Sequence, residues 1–156
     1  MNLGPHIGIS AAAGTGIWIA TGEPWTIPVT VAAGVLPDAD HILDYYNWYI
    51  RRSYKRLILF LHGWEYLIAA VCLYLFVFKE NWMLAVLVGY ATQIGTDQLF
   101  NGVRWHTYLF SARAMRGFRA SEVHGGDMRH GYVAIVASVP FFKEQLARWF
   151  ESRISN

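Results

Sequence analysis

Residues 57–78, LILFLHGWEYLIAAVCLYLFVF, restrict this chain more than any other stretch: 22 residues whose only acidic, basic or imidazole side chains are His62 and Glu65. Wound as a helix they would reach roughly 33 Å, enough to cross the hydrocarbon core of a bilayer. Lys79, Glu80 and Asn81 then form a short polar turn. A second apolar helix is expected over 82–99, antiparallel to the first because so short a connection leaves no other arrangement. It carries Gln93 and Asp97 near its end. Upstream, 7–20 is rich in alanine and glycine, the residues that let helices approach closely in a membrane. After a turn over 21–24, the stretch 25–36 is short and interrupted by Pro28, which suits a short or re-entrant segment.

Composition supports the same class. Hydrophobic residues make up 54% of the 156 and charged residues 15%, against roughly 25% charged in a soluble domain. Disorder is excluded by this balance. The single cysteine, Cys72, excludes a disulfide framework and reads as a packing residue. No Lys or Arg precedes Arg51, so the first fifty residues carry net −4 and the remainder +6. A nucleic-acid binder would not leave a third of its length without a cation, and nucleic acid is not an expected partner. The fold class predicted is all-α: an integral membrane helical bundle of four to five embedded segments in one domain, 1–156. Its core is 1–110; residues 111–156 supply a basic connector, a short apolar segment and an amphipathic tail at the interface. Tyr45, Tyr46, Trp48, Tyr49 and Tyr54 suit the headgroup zone. Four basic residues in 51–56 and five in 104–129 place those loops, and the site, on the cytoplasmic side of the inner membrane. No basic residue precedes the first apolar run, so it does not read as a cleaved signal peptide. Oligomerisation stays open.

On this topology His6, Asp38, Asp40, His41, His62, Glu65 and Asp97 converge on one face. His62 and Glu65 are spaced i, i+3, while Gln93, Asp97 and Asn101 make a polar stripe at i, i+4, i+8. Two carboxylates and an imidazole directly after Pro37 suit a divalent cation. Without thiolates, zinc is expected, with manganese or iron as alternatives. Singly, each group has a plainer reading. Asp38 caps a helix, Asp44 pairs with Arg51, Arg52, Lys55 or Arg56, and His62, Glu65 and Asp97 make structural hydrogen bonds. His6 belongs to a loose terminus, and His106, His124, Asp127 and His130 are solvated loop residues.

The run Ala33-Gly-Val-Leu-Pro-Asp-Ala-Asp-His41 resembles the G-x-L-x-P-D-x-D-H motif of prokaryotic membrane-bound metal-dependent hydrolases. His6 matches that family's histidine near the N-terminus, and His62 in LHGWE its histidine at the head of an apolar helix. Gly89-Tyr-Ala-Thr-Gln-Ile-Gly-Thr-Asp97 followed by Asn101-Gly-Val103 matches its G-x-x-S-H-x-x-x-D motif and Gly-Val turn. The order holds over about residues 4–110 and is similar, more distantly, to zinc-dependent phospholipases C. The resemblance implies Asp38, His62 and Asp97 as ligands, His6 as a fourth, and Asp40 and His41 binding or supporting them. Gln93 stands where the family has a histidine, and Lys55-Arg56 where it has His-Arg; these departures imply fewer metals, another metal or no catalysis. The function expected is metal-dependent hydrolysis of a lipid or lipid-like phosphoester, with Glu65 or Asp40 taking a proton. Arg51, Arg52, Lys55, Arg56 and Arg104 would hold the anionic head group, and Gln93 and Asn101 would support the ligands. Two rivals stand beside it: a non-enzymatic membrane protein with a structural or partner-binding polar cluster, and a small ion or proton transporter.

Overall fold

The computed structural model describes residues 3–123, 129 and 131–154. His124, Asp127 and His130 lie outside the described residues. The chain runs α1 (Leu3–Thr21), α2 (Thr26–Ala33), α3 (His41–Tyr45), α4 (Trp64–Phe76), α5 (Asn81–Phe100), α6 (Phe110–Met115), α7 (Ala120–Val123), α8 (Tyr132–Ser138) and α9 (Lys143–Ile154). A 3₁₀ turn, Leu36–Asp40, leads into α3, and a single π turn, Tyr46–Ile50, continues it. Among the described residues there is no strand, only an isolated bridge between Arg56 and Arg119.

Helices α1, α2 and α5 pack together through small and polar side chains. The buried stripe of α1 is His6, Ser10, Gly14 and Ile17, one residue per turn. Helix α2 buries Thr26 and Thr30 against it. Pro28 is accommodated because it lies in the first turn of α2, where a backbone N–H has no partner within the helix. The approach of α5 to α2 depends on Gly89: a Cβ there would lie 2.3 Å from the Thr30 carbonyl oxygen and 2.9 Å from Ala33 Cβ. Large apolar side chains of these helices face outward, with Ile19 78% and Leu99 77% exposed.

A second core is aromatic. Trp48, Tyr49, Leu57, Leu59, Tyr108, Ala120, Val123 and Phe150 are buried together. The tail helix α9 does not stand apart: Phe150 meets Tyr49 edge to face at 4.6 Å between centroids, with Leu146 and Ile154 beside it. Trp48 and Tyr49, expected at a headgroup zone, are instead interior at 4% and 1% exposure.

The expected membrane bundle, and with it the inner-membrane location, is corrected by the lengths of the helices. Among the described residues no helix is long and apolar enough to cross a membrane. The decisive stretch is 57–78, of which only Trp64–Phe76, 13 residues, is helical. That is about 20 Å, well short of a bilayer core. Residues 57–63 stay out of the helix because most of their backbone donors are claimed from outside. Leu57 N–H bonds to the Phe118 carbonyl, and Ile58 and Leu59 bond to the two oxygens of Asp44 at 2.9 and 3.1 Å. Leu61 N–H bonds to Asp40 at 2.6 Å, and Gly63 N–H to the Tyr90 hydroxyl at 3.1 Å. Leu59 sits at φ 42°, a left-handed conformation that no helix interior contains. Helix α5 falls where the apolar pattern predicted, but its threonines, Gln93 and Asp97 dilute its apolar character. Asp44 meets none of its expected basic partners and is fully buried on the 57–63 segment.

Candidate metal centre

Four separated segments deliver the polar cluster. Helix α1 extends back to Leu3, which puts His6 inside a helix rather than in a loose terminus, at 2% exposure. Asp38 and Asp40 come from the 3₁₀ turn and His41 from the start of α3. His62 comes from the non-helical segment before α4, and Gln93 and Asp97 lie one turn apart on the buried face of α5. His62, Gln93 and Asp97 are no more than 1% exposed. The cluster meets solvent at Asp38 and His41, whose side chains are 22% and 26% exposed.

The hydrogen bonds assign both imidazoles. Thr96 Oγ1 donates to the Thr92 carbonyl at 2.6 Å, so it accepts from His6 Nδ1 at 3.2 Å. The other nitrogen, His6 Nε2, then faces Asp97 Oδ1 at 3.2 Å. His62 repeats the pattern. Its Nδ1 donates to Asp40 at 3.2 Å, and its Nε2 faces Asp38 Oδ1 and Asp97 Oδ2, each at 3.3 Å. Gln93 Nε2 spends its two hydrogens on Asp38 Oδ1 at 2.6 Å and Asp97 Oδ2 at 3.0 Å. Two Nε2 atoms thus point at the two oxygens of one carboxylate, and each contact needs a proton or a cation between acceptor and acceptor. At His62 a proton serves. Burial opposes charge on His62, but hydrogen bonds to Asp38, Asp40 and Asp97 outweigh it and raise its pKa well above normal. Burial likewise works against ionised Asp97, and the bonds from His6 and His62 overcome it and hold that carboxyl far below the usual range. His41 is pushed the other way, by burial first and by His62 second.

The residues present can hold a metal ion. One ligand atom from each of Asp38, His41 and His62 lies within 4.8 Å of the others, and so does one from each of His6, Asp38 and Asp97. Asp38 is common to both groups. Gln93 Oε1 and His41 Nδ1 are buried polar atoms without a hydrogen-bond partner, a deficit that a cation beside them would relieve. The contacts also resemble the outer support of metal sites, in which the second nitrogen of a ligating histidine is tied to a carboxylate or oxygen. Asp40 does this for His62 and Thr96 for His6. Asn101 Nδ2 donates to Asp97 Oδ1 at 2.8 Å and to the Tyr108 hydroxyl at 2.7 Å, fixing the carboxylate from its far side.

Several candidates are elsewhere. Glu65 does not share a face with His62, because α4 begins at Trp64, after the histidine. Its oxygens accept from Phe110 N–H, Ser111 N–H and the Ser111 hydroxyl at 2.7–2.9 Å. Burial alone would raise its pKa, and these bonds instead bring it down to about 2. Arg51, Arg52, Lys55, Arg56 and Arg104 are exposed. Arg51 lies over the Tyr46 ring and Arg104 donates to the Glu122 carbonyl, so the structure does not bring these two to the cluster. The basic side chain that does support it is Arg113, which sequence reasoning missed. Fully buried, it donates to the carbonyls of Thr107, Leu59 and His62 at 2.5–2.7 Å. Thr96 and Tyr108 were also missed. Thr96 had one visible signal, its place beside Asp97 and one turn after Thr92; Arg113 and Tyr108 had none. Comparison with family models, with curated proteins and with solved structures gave no match.

Proposed function

We propose that this protein is a metal-dependent hydrolase acting on a lipid-like phosphoester, with His6, Asp38, His62 and Asp97 holding one divalent cation, zinc in the first instance. A single observation carries the reading: two imidazoles, each anchored through Nδ1, aim Nε2 at the same buried carboxylate. When bound, the cation supplies Lewis acidity to water and to a phosphoester oxygen. The chain supplies position. Asp40 and Thr96 fix the two rings, Asn101 fixes Asp97, and Arg113 holds the His62 carbonyl. Asp38 and His41 form the edge open to solvent, where a substrate would enter. Of the two carboxylates expected to take a proton, Glu65 is committed to residues 110–111, and Asp40 lies on the Nδ1 side of His62, away from the Nε2 that faces the cation, so its part is to hold the ring. No cationic clamp on the head group is part of the proposal.

A structural reading is favoured by one contact, the Gln93 amide that already bridges Asp38 and Asp97. Elemental analysis of the purified protein, with zinc and manganese titration, separates the two. The hydrolase reading expects one cation per chain, its loss in Asp38→Ala, His62→Ala and Asp97→Ala, and zinc-dependent cleavage of bis-p-nitrophenyl phosphate. Gln93→His should tighten zinc binding by tenfold or more, since an imidazole ligand replaces two amide donors. Failure of the wild-type protein to bind either cation, or full stoichiometry in all three alanine variants, overturns the assignment.

A further inference from the structure

A groove of about 390 Å³ is walled by Leu36, Pro37, Phe60, Leu61, Ala70 and Val86, drawn from the 3₁₀ turn after α2, the segment before α4, α4 itself and α5. It falls within the size range of small-molecule sites, roughly 300–1,000 Å³. Its walls are exposed: Leu36 63%, Phe60 52% and Leu61 42%. Only two hydroxyls occur among the lining side chains, those of Tyr66 and Tyr90. The Tyr90 hydroxyl is spent on the neighbouring segment, bonding to the Leu61 and Gly63 carbonyls at 2.7 and 3.0 Å and accepting from Gly63 N–H. A peptide, sugar or base seated here would find almost no hydrogen-bond partners on the walls. A hydrocarbon chain needs none. Two wall residues also tie the groove to the cluster: Pro37 precedes Asp38, and Leu61 precedes His62.

We infer that this groove seats the alkyl or acyl chain of an amphiphile, and, resting on the proposed function, that the chain belongs to the phosphoester whose head group reaches Asp38. Helix α4 contributes Ala70 without burying any residue of its own, so it can frame an open slot at little cost to the fold.

The test uses the full chain and two probe series, n-alkyl phosphates and n-alkyl alcohols, measured calorimetrically below their aggregation limits with and without zinc. Each methylene entering the groove should tighten binding about fourfold, the ratio that corresponds to ~0.8 kcal/mol per buried CH₂. Ala70→Trp should stop that rise at a shorter chain while leaving ethyl phosphate binding and zinc content unchanged. Val86→Phe is the second filling variant, should the first not fold. A flat chain-length series in the wild type, or a rise that neither filling variant changes, overturns the inference. The alcohols separate it from the hydrolase reading. Alcohols that obey the chain-length rule and respond to the filling variants support the chain seat by themselves. Phosphates that gain nothing over alcohols in the presence of zinc count against the hydrolase alone.

Discussion

Replacing Arg113 by methionine tests how residues 57–63 are held. The guanidinium is fully buried and donates to three carbonyls: Thr107, Leu59 and His62. Methionine keeps most of the stem volume but supplies no donor. The Leu59 carbonyl keeps a second donor, His62 N–H at 3.2 Å, so two buried acceptors are orphaned, at about 1–3 kcal/mol each, a nominal range of roughly 2–6 kcal/mol. Removing the charge returns part of this, because burial disfavours the cation and pulls the arginine pKa down. The expected net loss is therefore about 2–4 kcal/mol. Arg113→Lys keeps charge and three donors without the planar fork, and should lose less, about 1–2 kcal/mol. Urea unfolding gives the free energies, and native-state amide exchange at 57–63 locates the loss. An Arg113→Met protein within 1 kcal/mol of wild type, or one with unchanged protection at Leu59 and Leu61, would refute the claim that this side chain holds the segment.

Three further predictions concern other contacts. Asp44 is raised from 3.8 to about 6 by burial, against the lowering effect of the Ile58 and Leu59 N–H groups. Its stabilising contribution is thus complete below pH 4 and declines by roughly 3 kcal/mol as pH rises through 6; Asp44→Asn should flatten this part of the stability–pH curve, and an unchanged slope would count against it. Glu65 titrates in the opposite sense: held at about 2, it stabilises the fold above pH 4.5 and ceases to as pH falls through 2. Acid titration of Glu65→Gln by circular dichroism should show a shallower loss of structure below pH 4.5. Gly89→Ala places a methyl group 2.3 Å from the Thr30 carbonyl oxygen, and thermal melts should show a loss of about 1–3 kcal/mol; Gly95→Ala, with open space at its Cβ, should cost nothing.

Reading this chain from its residues succeeded where the determinants are local. The polar stripe of α5 and the Pro37-Asp38-Ala39-Asp40-His41 run are both defined within a few residues, and the structure brings Asp38, His62, Gln93 and Asp97 into contact. Misreading began where a segment's conformation is set from far away in sequence. Hydropathy sees 57–63 as the first turns of a membrane helix, but Asp40 and Asp44 capture its N–H groups across 14 to 21 residues. That one capture shortens α4, separates His62 from Glu65, and removes the spanning segment. Arg113 was invisible for the same reason: three carbonyls from two loops define its role, and none lies in the helix that carries it.

The non-helical segment 57–63 has a mechanical consequence. Its first half, Leu57 and Leu59, is part of the aromatic core, while its second half is pinned to the helical core through Asp40 and Tyr90. Neither core can open without disturbing the strip that belongs to both. Local opening at one end should therefore propagate to the other, so that the two packed regions melt as a single cooperative unit. Calorimetric and van't Hoff enthalpies should then agree, although the chain contains two chemically distinct interiors.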